Sequence, residues 1–245
     1  MTYLLLFLSV FAGVAAVWLF KPEDRKKIKL LISFSGAYIF TITVMHLLPE
    51  VYGQDGSAPA PATHAPPVGL FILAGFFLQL LLEFFSHGIE HGHAHHDHDH
   101  SGKIPLGMMF GLGIHAFLEG MPLGGASLHP EQEHSRHMLL AGIIMHNIPV
   151  SIVLLTMLLH NGVSKGRALF LMLIFALMSP LGTWCSDLAA QLSRYSRELM
   201  AVVIGIFLHI STTILFESSD EHRFNQRKMV AIVIGGAIAL ATSFF

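Results

Sequence analysis

Cysteine and charge are what this chain lacks. One cysteine, Cys185, stands in 245 residues, inside an apolar run. That excludes a disulfide framework and a thiolate metal site. Charged residues make up 12% of the chain against 53% hydrophobic. A soluble domain is also about half apolar, but roughly a quarter of it is charged. The deficit of charge therefore places this sequence among membrane proteins. A formal net charge of −2 offers no basic surface to nucleic acid. The H-E-x-x-H pairing of a zinc hydrolase is absent too, so no enzyme is read from the motifs. No basic segment precedes the first apolar run, so residues 2–20 read as a spanning helix and not as a cleaved signal.

Long apolar runs are present in number. They lie near 2–20, 28–51, 68–85, 104–128, 138–159, 168–190, 199–216 and 229–245. The expected fold is an all-α polytopic membrane protein, a single transmembrane domain over 1–245 with eight transmembrane helices. The last run is short, so a seven-helix count is the competing topology. An even count puts both termini on one side, and basic residues choose the side. Lys21, Arg25, Lys26, Lys27, Lys29, Lys103, Lys165, Arg167, Arg223, Arg227 and Lys228 fall at one set of ends, against Arg136, Arg194 and Arg197 at the other. The expectation is a multi-pass protein of the cell (inner or plasma) membrane with both termini extracytoplasmic. The second and seventh runs are weakly alike, GAYIFTITVMHLLPE against GIFLHISTTILFE, and run in opposite directions. That suggests an inverted repeat of helices 1–3 and 6–8 around helices 4–5, a common plan for transporters with a midplane site. The stretch 54–67, QDGSAPAPATHAPP, reads as an extended external linker.

Histidine is in excess, with seventeen copies. Seven of them, His87, His91, His93, His95, His96, His98 and His100, crowd into 87–103 beside Glu90, Asp97 and Asp99. Imidazoles and carboxylates at that density bind Zn²⁺, Ni²⁺ or Cu²⁺. The glycines there argue for labile binding, and the bland alternative is an oligohistidine linker with incidental affinity.

The more pointed signal lies inside two runs. IPLGMMFGLGIHAFLEGMPLGGASL (104–128) holds His115 and Glu119, and HMLLAGIIMHNIPVSIVLLTMLLH (137–160) holds His146 and Asn147. Ionisable groups at bilayer depth are costly, and they usually face a protein interior or a water-filled cavity. His115 and Glu119 are four apart and share a helix face. Pro149 follows His146 and should kink the helix, freeing the Met145 carbonyl. Imidazole, carboxylate and carbonyl together suit a divalent metal. Gly107, Gly111, Gly120, Gly124 and Gly125 read as sites of close helix contact. His46 and Glu50 in HLLPE are read equally as an outer metal entrance or a hydrated helix end. His209 is read as a core residue bonded to a neighbour, with a ligand role as the alternative. Pro180 in SPLG should kink the sixth helix near Ser179, and Asp187 reads as a surface charge.

HAFLEGMPLG (115–124), HNIP (146–149), HLLPE (46–50), SPLG (179–182) and the His-rich loop between the third and fourth runs resemble the ZIP family of zinc and iron transporters. The resemblance covers most of the chain, and the first two motifs are its specific part. It implies a metal centre between helices 4 and 5, with His115, Glu119, His146 and Asn147 at metal-binding positions. Ser179 then falls at a second metal position beside Asn147, His46, Glu50 and His209 stay as candidate pathway residues, and a homodimer is suggested. The chain departs from the pattern at Ala116, Val150, Ser151 and Ser179, so one good site is expected in place of two. The function implied is uptake of a divalent metal, Zn²⁺ first and Fe²⁺ or Mn²⁺ as alternatives, into the cytoplasm by alternating access. The alternative is a degenerate homologue that binds metal as a sensor or scaffold without moving it.

Overall fold

The computed structural model describes residues 1–20, 25–53, 67–86, 106–124, 133–188, 195–216 and 226–242. The linker stretch 54–66, the His-rich segment 87–103 with His87, His91, His93, His95, His96, His98 and His100, and residues 217–225 lie outside the described residues. Among the described residues there are helices and no strand. We number eight rods: α1 (Thr2–Phe20), α2 (Arg25–Ile42, continued by a π turn Thr43–Leu47 and a last turn Leu48–Gly53), α3 (Val68–Ser86), α4 (Leu106–Gly120, with a 3-10 turn Met121–Leu123), α5 (Glu133–His160), α6 (Lys165–Leu188), α7 (Ser196–Phe216) and α8 (Gln226–Thr242). Their limits follow the apolar runs to within a few residues. Several start earlier, α5 by a full turn at Glu133, because a polar first turn leaves no trace in an apolar count.

The π turn in α2 has a local cause. Pro49 has no N–H to give, and the ladder before it widens so that the Leu48 N–H reaches the Thr43 carbonyl. The α5 and α6 helices run unbroken through Pro149 and Pro180. At the end of α4, Pro122 sits in the 3-10 turn and Gly124 is extended, which closes the helix.

Seven of the eight rods are long and apolar enough to cross a bilayer, and α8, at 17 residues, falls just short. The packing nevertheless includes α8 in the same slab. Four pairs touch most extensively: α3 with α7, α2 with α8, α1 with α5, and α4 with α6. Residue numbers rise together across these contacts: Ser9 beside Asn147 and Gly13 beside Ile152, Gly75 beside Val202 and Glu83 beside His209, Phe34 beside Gly235 and Thr41 beside Gly236, Gly113 beside Met178 and Gly124 beside Ser186. These pairs are parallel. The α1 and α6 helices run oppositely, since the Tyr3 hydroxyl donates to the Asp187 carboxylate at one end and Lys165 lies 5.2 Å from the Trp18 ring at the other. Parallel partners are an even number of rods apart and antiparallel ones an odd number, as a chain threading a slab eight times requires. Exchanging helices 1–3 for 6–8, and 4 for 5, turns the α3–α7 pair into α8–α2 and the α1–α5 pair into α6–α4. That is the pairing expected of an inverted repeat. Asp187, read from sequence as a surface charge, is exposed and accepts from Tyr3 in the first turn of α1.

Burial places α5 at the centre and α3 at the edge: 72% of the α5 span is buried, against 17% of α3. The outward faces carry exposed Leu73, Phe77, Phe84, Phe170, Leu177, Val233 and Ile234, as contact with lipid tails demands. Between helices in lipid there is no hydrophobic gain, so close backbone approach matters more. A Cβ on Gly205 would stand 1.9 Å from the Ile72 carbonyl oxygen, and one on Gly75 2.0 Å from that of Val202. These reciprocal contacts lock α3 to α7. Gly205→Ala should lower stability by about 1–3 kcal/mol or more, the range of overpacking. Gly166→Ala should be near neutral, because nothing lies within 4 Å of that site. Thermal unfolding in detergent, read as a fall in Tm for the first and little change for the second, checks this.

Candidate metal centre

His115 and Glu119 project from one face of α4, and both are buried, at 2% and 0% exposure. His115 Nε2 lies 3.0 Å from Glu119 Oε1. His146, from the middle of α5, is buried at 2%. Its ring stands edge-on to that of His115 with centroids 5.8 Å apart. One ligand atom from each of the three residues lies within 4.8 Å of the other two. The ligands of a tetrahedral zinc stand roughly 3.4 Å apart, from metal–ligand bonds of about 2.0–2.1 Å. The His115–Glu119 pair is already that close, and small rotations would bring in the third. Glu119 Oε2 has no hydrogen-bond partner among the described residues. A buried carboxylate in that state is destabilising unless a positive group meets it. Two imidazoles and a carboxylate form a donor set that suits a divalent cation.

The chain builds this arrangement from two helix pairs. On one side α4 is pressed against α6: a Cβ on Gly120 would meet the Ser179 carbonyl at 2.0 Å, and one on Gly182 the Phe117 carbonyl at 2.0 Å. Thr183 Oγ1 bridges this contact, donating to the carbonyls of Gly120 (2.9 Å) and Ser179 (3.1 Å). Ser179 itself is buried, and its backbone packs on the glycine next to Glu119. On the other side α5 lies against α1. Asn147 Nδ2 donates to Ser9 Oγ at 3.1 Å, and Ser151 Oγ donates to the Asn147 carbonyl. The Asn147 amide nitrogen is thus engaged with α1, while His146, one residue earlier, takes part in the cluster. Ala116 and Val150 are buried as apolar packing.

The remaining sequence candidates are elsewhere. His46 lies in the π turn of α2 and Glu50 one turn on, both partly buried and neither in the three-residue cluster. His209 Nε2 is 2.6 Å from Glu83 Oε2 on α3, and its ring meets Phe76 edge-on. Two residues escaped the sequence reading. Glu83 is one. The other is Gln79 on α3, fully buried, with Oε1 3.0 Å from His115 Nδ1. The signal for both was available, since α3 is otherwise an apolar run and a polar group inside one faces protein by default.

The family model described as ZIP zinc transporter matches residues 1–106 and 104–243. Zinc transporter ZIP9-B of Xenopus laevis is 27% identical over 155 residues, covering 59% of this chain and 50% of its own length. Zinc transporter ZIP9 of Micropogonias undulatus is 27% identical over 155 residues, covering 59% and 49%. The chain spans about half the length of the curated relatives it matches. A family match that runs nearly from end to end, on a bundle of this kind, has one consequence: the chain belongs to the ZIP zinc transporter family.

Proposed function

We propose that this chain moves a divalent metal ion across the bilayer, zinc in first place and Fe²⁺ or Mn²⁺ as alternatives. The observation that carries the reading is the convergence of His115, Glu119 and His146 in a dry interior. The relatives named as zinc transporters support zinc as the substrate. An entering ion would exchange water for two imidazole nitrogens and a carboxylate oxygen. Glu119 would offset part of its charge, and the neutral histidines would leave the site net positive. Such a site binds less tightly than one with two carboxylates, which suits a carrier that must also release. The helices that hold the site would shift so that it opens to each side in turn. The direction is inward, and the basic residues put the start of α1 outside.

A second reading is favoured by a specific observation. Among the described residues there is one cluster of this kind, and Ala116 and Val150 are plain packing where the family resemblance leads one to expect polar groups. That leaves a protein that binds metal as a sensor or scaffold without transporting it.

Purified chain in liposomes separates the two. The first reading expects zinc flux, and His115→Ala with Glu119→Ala should cut it by more than about tenfold, since even changes behind the ligands reach that size. Stoichiometric zinc binding with no flux above protein-free liposomes would establish the sensor. Undiminished flux in the double variant would remove these residues from the pathway. Orientation has its own check: in intact cells a tag placed before Thr2 should be reached by an impermeant label, and protection of that tag would reverse the direction.

A further inference from the structure

The α3 helix has one of the most exposed surfaces among the rods, yet it carries a buried amide. Of its described residues only Gly75, Gln79 and Leu82 are buried, at the spacing of one narrow helix face. Gly75 serves the contact with α7, and Leu82 is apolar. Gln79 is 0% exposed on a helix that is otherwise almost wholly hydrocarbon. An amide there is costly unless bonded. Its Oε1 meets His115 Nδ1 at 3.0 Å. Glu83, one turn along α3, turns to His209 on α7, so Gln79 is the polar group that α3 brings to His115.

The chemistry of imidazole makes this bond consequential. A neutral ring has one N–H and one lone pair. If Nδ1–H is given to the Gln79 oxygen, the lone pair lies on Nε2. That is the nitrogen 3.0 Å from Glu119 Oε1, directed into the cluster. Gln79 Oε1 and Glu119 Oε1 are both acceptors, so a ring that spends its N–H on Gln79 meets Glu119 with a lone pair, an arrangement a cation between them stabilises. We infer that Gln79 is a positioning residue for metal binding: it fixes the tautomer and the orientation of His115 so that Nε2 is presented as a ligand. The inference rests on the reading of His115, Glu119 and His146 as the metal site, and it gives that site a third helix. An acceptor behind a ligating histidine also raises its basicity.

The test compares Gln79→Leu with Gln79→Glu in zinc uptake by the full chain in liposomes. Leucine removes the acceptor at similar volume, and glutamate keeps an acceptor at the same reach. Loss of such a partner costs roughly 10–100-fold in metal affinity, so Gln79→Leu should raise the half-saturating zinc concentration by about tenfold or more, with the maximal rate within about twofold. Gln79→Glu should stay within about threefold of the original in half-saturation, because its carboxylate still accepts from Nδ1. A merely structural Gln79 predicts the reverse order, since a buried carboxylate is the harsher replacement. Unchanged half-saturation in Gln79→Leu, or a Gln79→Glu no better than the leucine variant, would overturn the inference. If Gln79→Leu fails to reach the membrane, Gln79→Met, equally long and without a strong acceptor, takes its place. His115→Ala separates the two failures. Normal uptake in that variant sinks the metal-site reading itself. Lost uptake there, beside a normal Gln79→Leu, sinks only the role given to Gln79.

Discussion

Glu119 has no exposed surface and sits in the middle of a bundle whose buried positions are mostly apolar. A carboxylate so placed cannot turn to water, and it must neutralise, pair or meet a cation. The residues around it answer that requirement. His115 stands one turn before it on the same helix face, and His146 comes from the neighbouring rod. Behind His115, Gln79 takes the far nitrogen of the ring. Polar groups inside an apolar bundle are costly one at a time and become tolerable as a connected set.

What holds that set in place is mostly backbone against backbone. In lipid, apolar side chains gain nothing by leaving the solvent, so helices associate through close packing and hydrogen bonds. Gly120 and Gly182 let α4 and α6 touch at the turn beside Glu119, and Gly13 lets α1 approach α5 beside His146. Ser9 and Thr183 add hydrogen bonds across the same two contacts. The three-residue cluster therefore lies between two tightly packed helix pairs, α4 with α6 and α1 with α5, and α3 reaches it through Gln79.

The legibility of the sequence was uneven, for physical reasons. His115, Glu119 and His146 could be picked out because an ionisable group in a twenty-residue apolar run is too costly to stand there without a polar partner or an ion. Gln79 stood in such a run too, but an uncharged amide is a weaker anomaly than a carboxylate, and its run had no second polar group at metal-ligand spacing. Glu83 lies near the end of α3, where a charge could equally face water. Asn147 was placed beside His146 by the HNIP motif of the resembled family. Successive residues on a helix point about 100° apart, and the Asn147 amide nitrogen reaches Ser9 on α1, a partner that the motif does not record.

The sequence by itself determined the class, the apolar runs that become helices, and the ionisable residues His115, Glu119 and His146 standing inside two of them. Hydropathy over twenty residues, and the cost of charge in hydrocarbon, are properties of the chain alone. Only the tertiary structure decided which rods are neighbours, that α3 contributes a partner to His115, and that His209 belongs with Glu83. Those facts depend on side chains from distant parts of the chain meeting across helix contacts. Such contacts are set by packing between rods, which no local pattern records.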